Sequence, residues 1–199
     1  MPQPNSPARL AALGGIAGPA AFIGAWAILG ATRAGYSPVT DHISDLAKLG
    51  TAHRPWMTAG FVAYGIGLPL YGVAAFSRGQ RAIGALAVVT GLSTLGVAAF
   101  PLGTSSDRGH VIAAGIGYVS VAAIPLVGAV RAARRGRRGV AALSASVTVV
   151  SVIALAASLS GSQAGLWQRV GLTASDLWVA GHALALLRSR SAGASEPGL

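Results

Sequence analysis

The chain has no cysteine, a single lysine and only five acidic residues among 199. Without thiols it can form no disulfide, no thiolate metal site and no cysteine nucleophile. Charged residues make up 10% of it, against roughly a quarter in an ordinary soluble domain. A water-exposed surface built from so few charges would carry large apolar patches. Lipid removes that difficulty, because it covers apolar side chains. No Gly-x-Ser-x-Gly elbow, His-Glu-x-x-His pair or phosphate loop occurs, and no metal-ligand spacing stands out.

What the chain has in abundance is apolar sequence, 53% of its residues, with a mean hydropathy of +0.61. Six runs are long enough to cross a hydrocarbon core: 10–31, 56–76, 82–101, 110–130, 139–159 and 167–187. They are rich in Gly, Ala and Ser, as close helix packing in lipid requires. Pro69 and Pro125 fall inside runs two and four, where lipid-embedded helices tolerate them. The pattern predicts an all-α integral membrane bundle of six transmembrane helices. Residues 1–9 form a cytoplasmic N-terminus, 10–188 the transmembrane domain and 189–199 a disordered cytoplasmic tail. The first run is longer than a signal-peptide core of about 7–15 residues, so it reads as a retained anchor.

The net charge of +10 comes almost wholly from arginine. With the N-terminus inside, ten basic residues fall on the inner side and five (Arg33, Lys48, Arg54, Arg108, Arg169) on the outer. That bias predicts both termini cytoplasmic in a cell (plasma) membrane. Arg131, Arg134, Arg135, Arg137 and Arg138 are its strongest part, and are expected against anionic lipid headgroups. Charges scattered in short clusters between apolar runs argue against nucleic acid as the partner. Trp56 and Trp167 open runs two and six and read as interfacial anchors.

The first outer loop, 33–55, is the longest connection. Ser37 and Pro38 suit a helix start. Wound as a helix, Val39, Ile43 and Leu46 share one face, and Asp41, Ser44, Asp45 and Lys48 the other. A short amphipathic helix is predicted here, lying in the interface or folded down over the bundle. Asp41 and Asp45 sit one turn apart and repel mildly, so Arg54, Arg108 or Arg169 are expected to face them.

Three polar patches invite chemistry. Asp107 and His110 lie three apart at the start of run four, a spacing able to hold a metal or relay a proton. The simpler reading is that Ser105, Ser106 or Asp107 caps the helix. Run six carries Gln168, Arg169, Thr173, Ser175, Asp176, Trp178 and His182. Asp176 is ionisable at membrane depth and so a functional candidate, with pairing to Arg169 on the same face as the leading expectation. His182 reads as a hydrogen-bonded packing residue.

Three motifs then converge. They are Ile43-Ser44-Asp45-Leu46 after a Tyr-Ser-Pro loop, Phe100-Pro101 followed by Asp107 and His110, and Gly165-Leu166-Trp167-Gln168-Arg169 with Trp178 behind it. Together they resemble the bacterial membrane-protein family known as domain of unknown function 998, over about residues 10–188. The resemblance implies six membrane helices, no established activity, and Ser44, Asp45, Pro101, Asp107, His110, Gln168 and Arg169 as the matching positions. His42 and Asp176 fall outside that pattern. A more distant likeness, to seven-helix zinc hydrolases of membranes, lacks the paired histidines of their last helix.

Three functional readings follow. One is a polar site at the outer face, built from Ser44, Asp45, Asp107, His110, Gln168 and Arg169, that binds or transports a lipid headgroup or small solute. Another is a membrane-embedded metal-dependent hydrolase with His110 and Asp107 or Asp45 at its centre. The last is a structural protein in which the same residues lock the outer face through ion pairs.

Overall fold

The computed structural model describes residues 7–105 and 107–188; the predicted tail at 189–199 and the proposed cap at Ser106 lie outside them. The described chain is helical, in the order α1 (Pro7–Ala11), α2 (Gly14–Thr32), α3 (Arg54–Ser77), α4 (Arg81–Ala99), α5 (Asp107–Arg134), α6 (Arg138–Ala157) and α7 (Ala164–Arg188). Among the described residues six helical segments are long and apolar enough to cross a membrane, α1 and α2 together making the first. The expected runs map onto them one to one.

From α2 onward each helix packs against the next, α1 lies against α3, and α7 returns to lie against α2, α3 and α5. The bundle therefore closes on itself, with the chain rising and falling by turn. Small residues let it close tightly. A side chain on Gly67 of α3 would stand 2.8 Å from the Gly18 Cα of α2, so here the two backbones touch. Large apolar side chains such as Ile28, Val119 and Leu177 face outward and are exposed, a surface that suits lipid and not water.

Two of the tight connections share one geometry. Gly79 and Gly136 adopt positive φ, and the following N–H returns to the last turn: Gln80 to Ala75 O and Arg137 to Ala132 O, each at 2.9 Å. These are Schellman caps, which satisfy the carbonyls that a helix end leaves open. Both lie at the end of the bundle where the chain enters and leaves. The arginine cluster 131–138 surrounds the second, with Arg134, Arg135, Arg137 and Arg138 exposed.

The opposite end carries the long first loop. It does not form the continuous amphipathic helix predicted from Ser37. Tight turns at Ser37–Asp41 are followed by extended backbone at His42 and a single 3-10 turn, Ile43–Ala47. The reason lies in the two aspartates. Asp41 Oδ2 accepts the Ser37 N–H at 2.9 Å, and Asp45 Oδ2 accepts the His42 N–H at 3.0 Å. Each carboxylate closes its own turn, and His42 between them cannot stay helical. Of the expected apolar face, Ile43 and Leu46 are buried over the helices, whereas Val39 is exposed. The segment folds down over the bundle as a plug.

Candidate functional site

Burying a plug of irregular backbone leaves carbonyls that water cannot reach, and they need donors. Arg169, near the start of α7 and 6% exposed, supplies two of them. Its guanidinium donates to the carbonyls of Pro38 at 2.8 Å, Asp41 at 3.0 Å and Gly165 at 2.8 Å. It also donates to the Tyr36 phenol and lies over the rings of Trp26 and Tyr36. Tyr36 passes its own proton on to His42 O at 3.0 Å. Arg33 donates to Asp45 O at 2.6 Å, and Gln168 Oε1 accepts the Ile43 N–H at 2.7 Å. Arginines thus hold the loop's carbonyls while aspartates hold its amides. This division of labour stands where a carboxylate–arginine pairing was predicted, because the buried main-chain groups take the charged side chains as partners.

Two groups of the loop are shifted in titration. Burial pushes the Tyr36 phenol up, against the opposing pull of Arg169. The Ser37 N–H, aided by the Thr40 hydroxyl, holds the Asp41 carboxyl below its usual range.

Beneath the plug lies a small cavity of about 60 Å3 between α2, α3, α4, α5 and α7. That admits a few waters or a small headgroup and is well below the roughly 300–1,000 Å3 of pockets that enclose drug-sized molecules. Its lining mixes apolar side chains, Phe22, Phe61, Val97 and Leu172 among them, with the polar Ser44, Thr90, Thr94, His110, Tyr118 and Gln168. No acidic or basic residue other than His110 lines it. Gln168 Nε2 donates to the Tyr118 hydroxyl, which leaves the Tyr118 proton free to be donated. His110 Nδ1 donates to Phe100 O at 2.8 Å, which leaves Nε2 as the ring nitrogen able to meet a ligand.

The sequence-derived site therefore divides. Ser44, His110 and Gln168 come together on the cavity wall. Arg169 lies above as the lock of the loop. Asp45 closes its own turn. Asp107 is exposed and accepts the N–H groups of Gly103 at 2.9 Å and Thr104 at 3.1 Å, so it fastens the loop before α5 and does not join His110. Among the described residues no group of three His, Cys, Asp or Glu is placed to hold a metal. Tyr118, Thr90, Thr94 and Tyr64 were not expected at a site. Polar residues one turn apart in run three (Thr90, Thr94) were the available signal, but such hydroxyls commonly bond back to their own helix, as both do here.

Deeper in the bundle, Asp176 does not pair with Arg169. Its Oδ1 accepts a hydrogen bond from the Tyr64 hydroxyl at 2.7 Å, and its Oδ2 is buried with no partner. The two residues share a helix face, but the long arginine reaches toward the polar loop and leaves the carboxyl to a phenol on α3. His182, expected to pack, is hydrogen-bonded to Tyr71 at 2.7 Å and stacked on Trp178.

No curated protein and no solved structure matches the chain. A family does, over residues 16–185, from the second helix to the last turns of α7. With six apolar helices closed into one bundle, this multi-pass membrane protein belongs to the family described as "Protein of unknown function (DUF998)".

Proposed function

We propose that this chain binds the uncharged head of an amphiphile in the cavity beneath its plug, with the apolar tail left outside the cavity. The observation that carries the reading is the lining: mostly apolar side chains with the Tyr118 hydroxyl and His110 Nε2 among them, whose other bonds are already made. Few polar groups on an otherwise apolar wall fix a ligand's orientation while apolar contact holds it. Absence of lining carboxylate, lysine or arginine favours a hydroxyl or ester head over a charged one. A glycerol-headed lipid has this chemistry. On this reading the plug faces the outer side of the plasma membrane and both termini are cytoplasmic. Arg131, Arg134, Arg135, Arg137 and Arg138 then meet anionic headgroups of the inner leaflet, at about 1 kcal/mol per residue.

The hydrolase reading has less support, because Asp45 and Asp107 are both turned away from His110 and committed to main-chain amides. The structural reading does account for Arg169, Asp45 and Asp107, but leaves the cavity unexplained.

Monoolein, titrated into detergent-solubilised protein and followed by native mass spectrometry, tests the proposal. Saturable one-to-one binding is expected. Tyr118→Phe should weaken it about tenfold, the worth of one good hydrogen bond. Leu172→Trp should abolish it by filling the cavity. Non-saturable binding, or equal affinity in all three proteins, refutes the reading.

A further inference from the structure

Asp176 is 1% exposed and sits mid-helix in α7, in a protein with few acids to spare. One carboxyl oxygen has a donor, Tyr64; the other has none. An ionised carboxylate half-satisfied in an apolar interior is an expensive charge. The nearby elements offer no compensating cation. Helix α2 carries no titratable residue, and α6 carries only Arg138 at its far end. The titratable groups within the spans of α3, α5 and α7 are Tyr64 and Tyr71, His110 and Tyr118, and Arg169 and His182. Arg169 is committed to the plug and His182 to Tyr71. The remaining charged groups on elements packed against α7 lie at helix ends or in the plug: Arg9, Asp45, Arg54, Asp107, Arg108, Arg131, Arg134 and Arg188. A metal cation is a poor occupant, because it needs several oxygens and only the Tyr64 hydroxyl accompanies the carboxyl.

Tyr64 makes the second, independent observation. Its side chain lines the cavity and also donates to Asp176. It is therefore a two-sided group, with the cavity on one side and the buried carboxyl on the other.

We propose that Asp176 is a proton-binding site loaded from the cavity through the Tyr64 hydroxyl. The transfer is balanced. Tyr64 Oη–H gives its proton to Asp176 Oδ1 while Tyr64 Oη takes a proton from a hydronium in the cavity. The carboxylate becomes a neutral acid, the phenol is regenerated, and one water is left behind. Release runs the same steps backward. The inference stands apart from the amphiphile reading, since the cavity need only admit water. It gives this membrane protein a means of coupling what the cavity holds to proton uptake.

Infrared difference spectroscopy of the full chain in detergent tests this. The C=O stretch of a protonated carboxylic acid lies apart from other protein bands and shifts in D2O. A band that responds to pH and that disappears in Asp176→Asn is the expected result. Its hydrogen–deuterium exchange should slow at least tenfold in Tyr64→Phe, since a positioned proton carrier is worth about 10²–10⁴ in rate. Both variants keep the shape of the native side chain, and helical circular dichroism verifies their folds. A band that never titrates, or none that depends on Asp176, overturns the site. Unchanged exchange in Tyr64→Phe overturns the route.

Discussion

Truncating Arg169 to alanine is the sharpest test of how the plug is held. The guanidinium serves three main-chain carbonyls and one phenol. Gly165 O belongs to the helix and Tyr36 retains its bond to His42 O, so neither is orphaned by the change. Pro38 O and Asp41 O lose a charge-assisted donor; Asp41 O keeps only a 3.5 Å contact from Tyr36. A buried acceptor left unsatisfied costs about 1–3 kcal/mol, and the stacking over Trp26 and Tyr36 adds about 1 kcal/mol. With two such acceptors the sum is roughly 3–7 kcal/mol, which corresponds to a fall of roughly 10–20 °C in thermal midpoint for a chain of this length. Arg169→Lys restores the charge but not the planar fork, so it should recover less than half of the loss. Differential scanning fluorimetry in detergent reads both, and Trp26 beneath the guanidinium provides a local signal. If Arg169→Ala melts within about 1 °C of wild type, the guanidinium is not what holds the plug and the assignment fails. If lysine restores stability fully, charge alone is the cause and the fork geometry is irrelevant.

Two further outcomes follow from the same contacts. Gly165→Ala places a Cβ against the Asp41 carbonyl, 2.9 Å from its carbon and 2.9 Å from an Arg169 nitrogen. Backbone must move, and a loss of about 1–3 kcal/mol is expected in the same melting assay; an unchanged midpoint would show that the loop yields freely. Asp41 gives a pH dependence. Its carboxyl titrates below the usual range when folded, because Ser37 N–H and Thr40 hydroxyl bind the charged form. The unfolded chain therefore binds the proton more readily. The stabilisation is complete above about pH 4, the unfolded value, and is lost as pH falls through the lower folded value. Melting curves of wild type should drop over that acid range, and those of Asp41→Asn should drop less; parallel curves would exclude Asp41 as a contributor.

The bundle was legible because lipid imposes a one-dimensional rule. A span must be apolar for about 20 residues, and every backbone group within it must bond to its own helix. The six runs in the sequence satisfy that rule, and the six helical segments lie over them. The plug was less legible. Val39, Ile43 and Leu46 do repeat at helical spacing, but the pattern does not reveal that Asp41 and Asp45 would take the main-chain amides and divide the segment into separate turns. His110 and Gln168 were singled out from short motifs, yet Tyr118 and Tyr64 were not. A tyrosine within an apolar run has no distinguishing neighbour in sequence, and its role depends on which helix its hydroxyl meets.

By itself the sequence determined the solvent, the number of spans and the region where polar groups would gather. Those properties follow from local composition and from hydrocarbon thickness, neither of which needs a partner element. Tertiary structure alone decided how the polar groups are shared. It gave Arg169 to the loop carbonyls, Asp176 to Tyr64 and Gln168 to both Ile43 and Tyr118. Partners more than 100 residues apart in the chain met there because α7 closes the bundle against α2, α3 and α5. In a low-dielectric interior each polar atom bonds to the nearest available partner, and which one is nearest is set by helix packing and not by spacing along the chain.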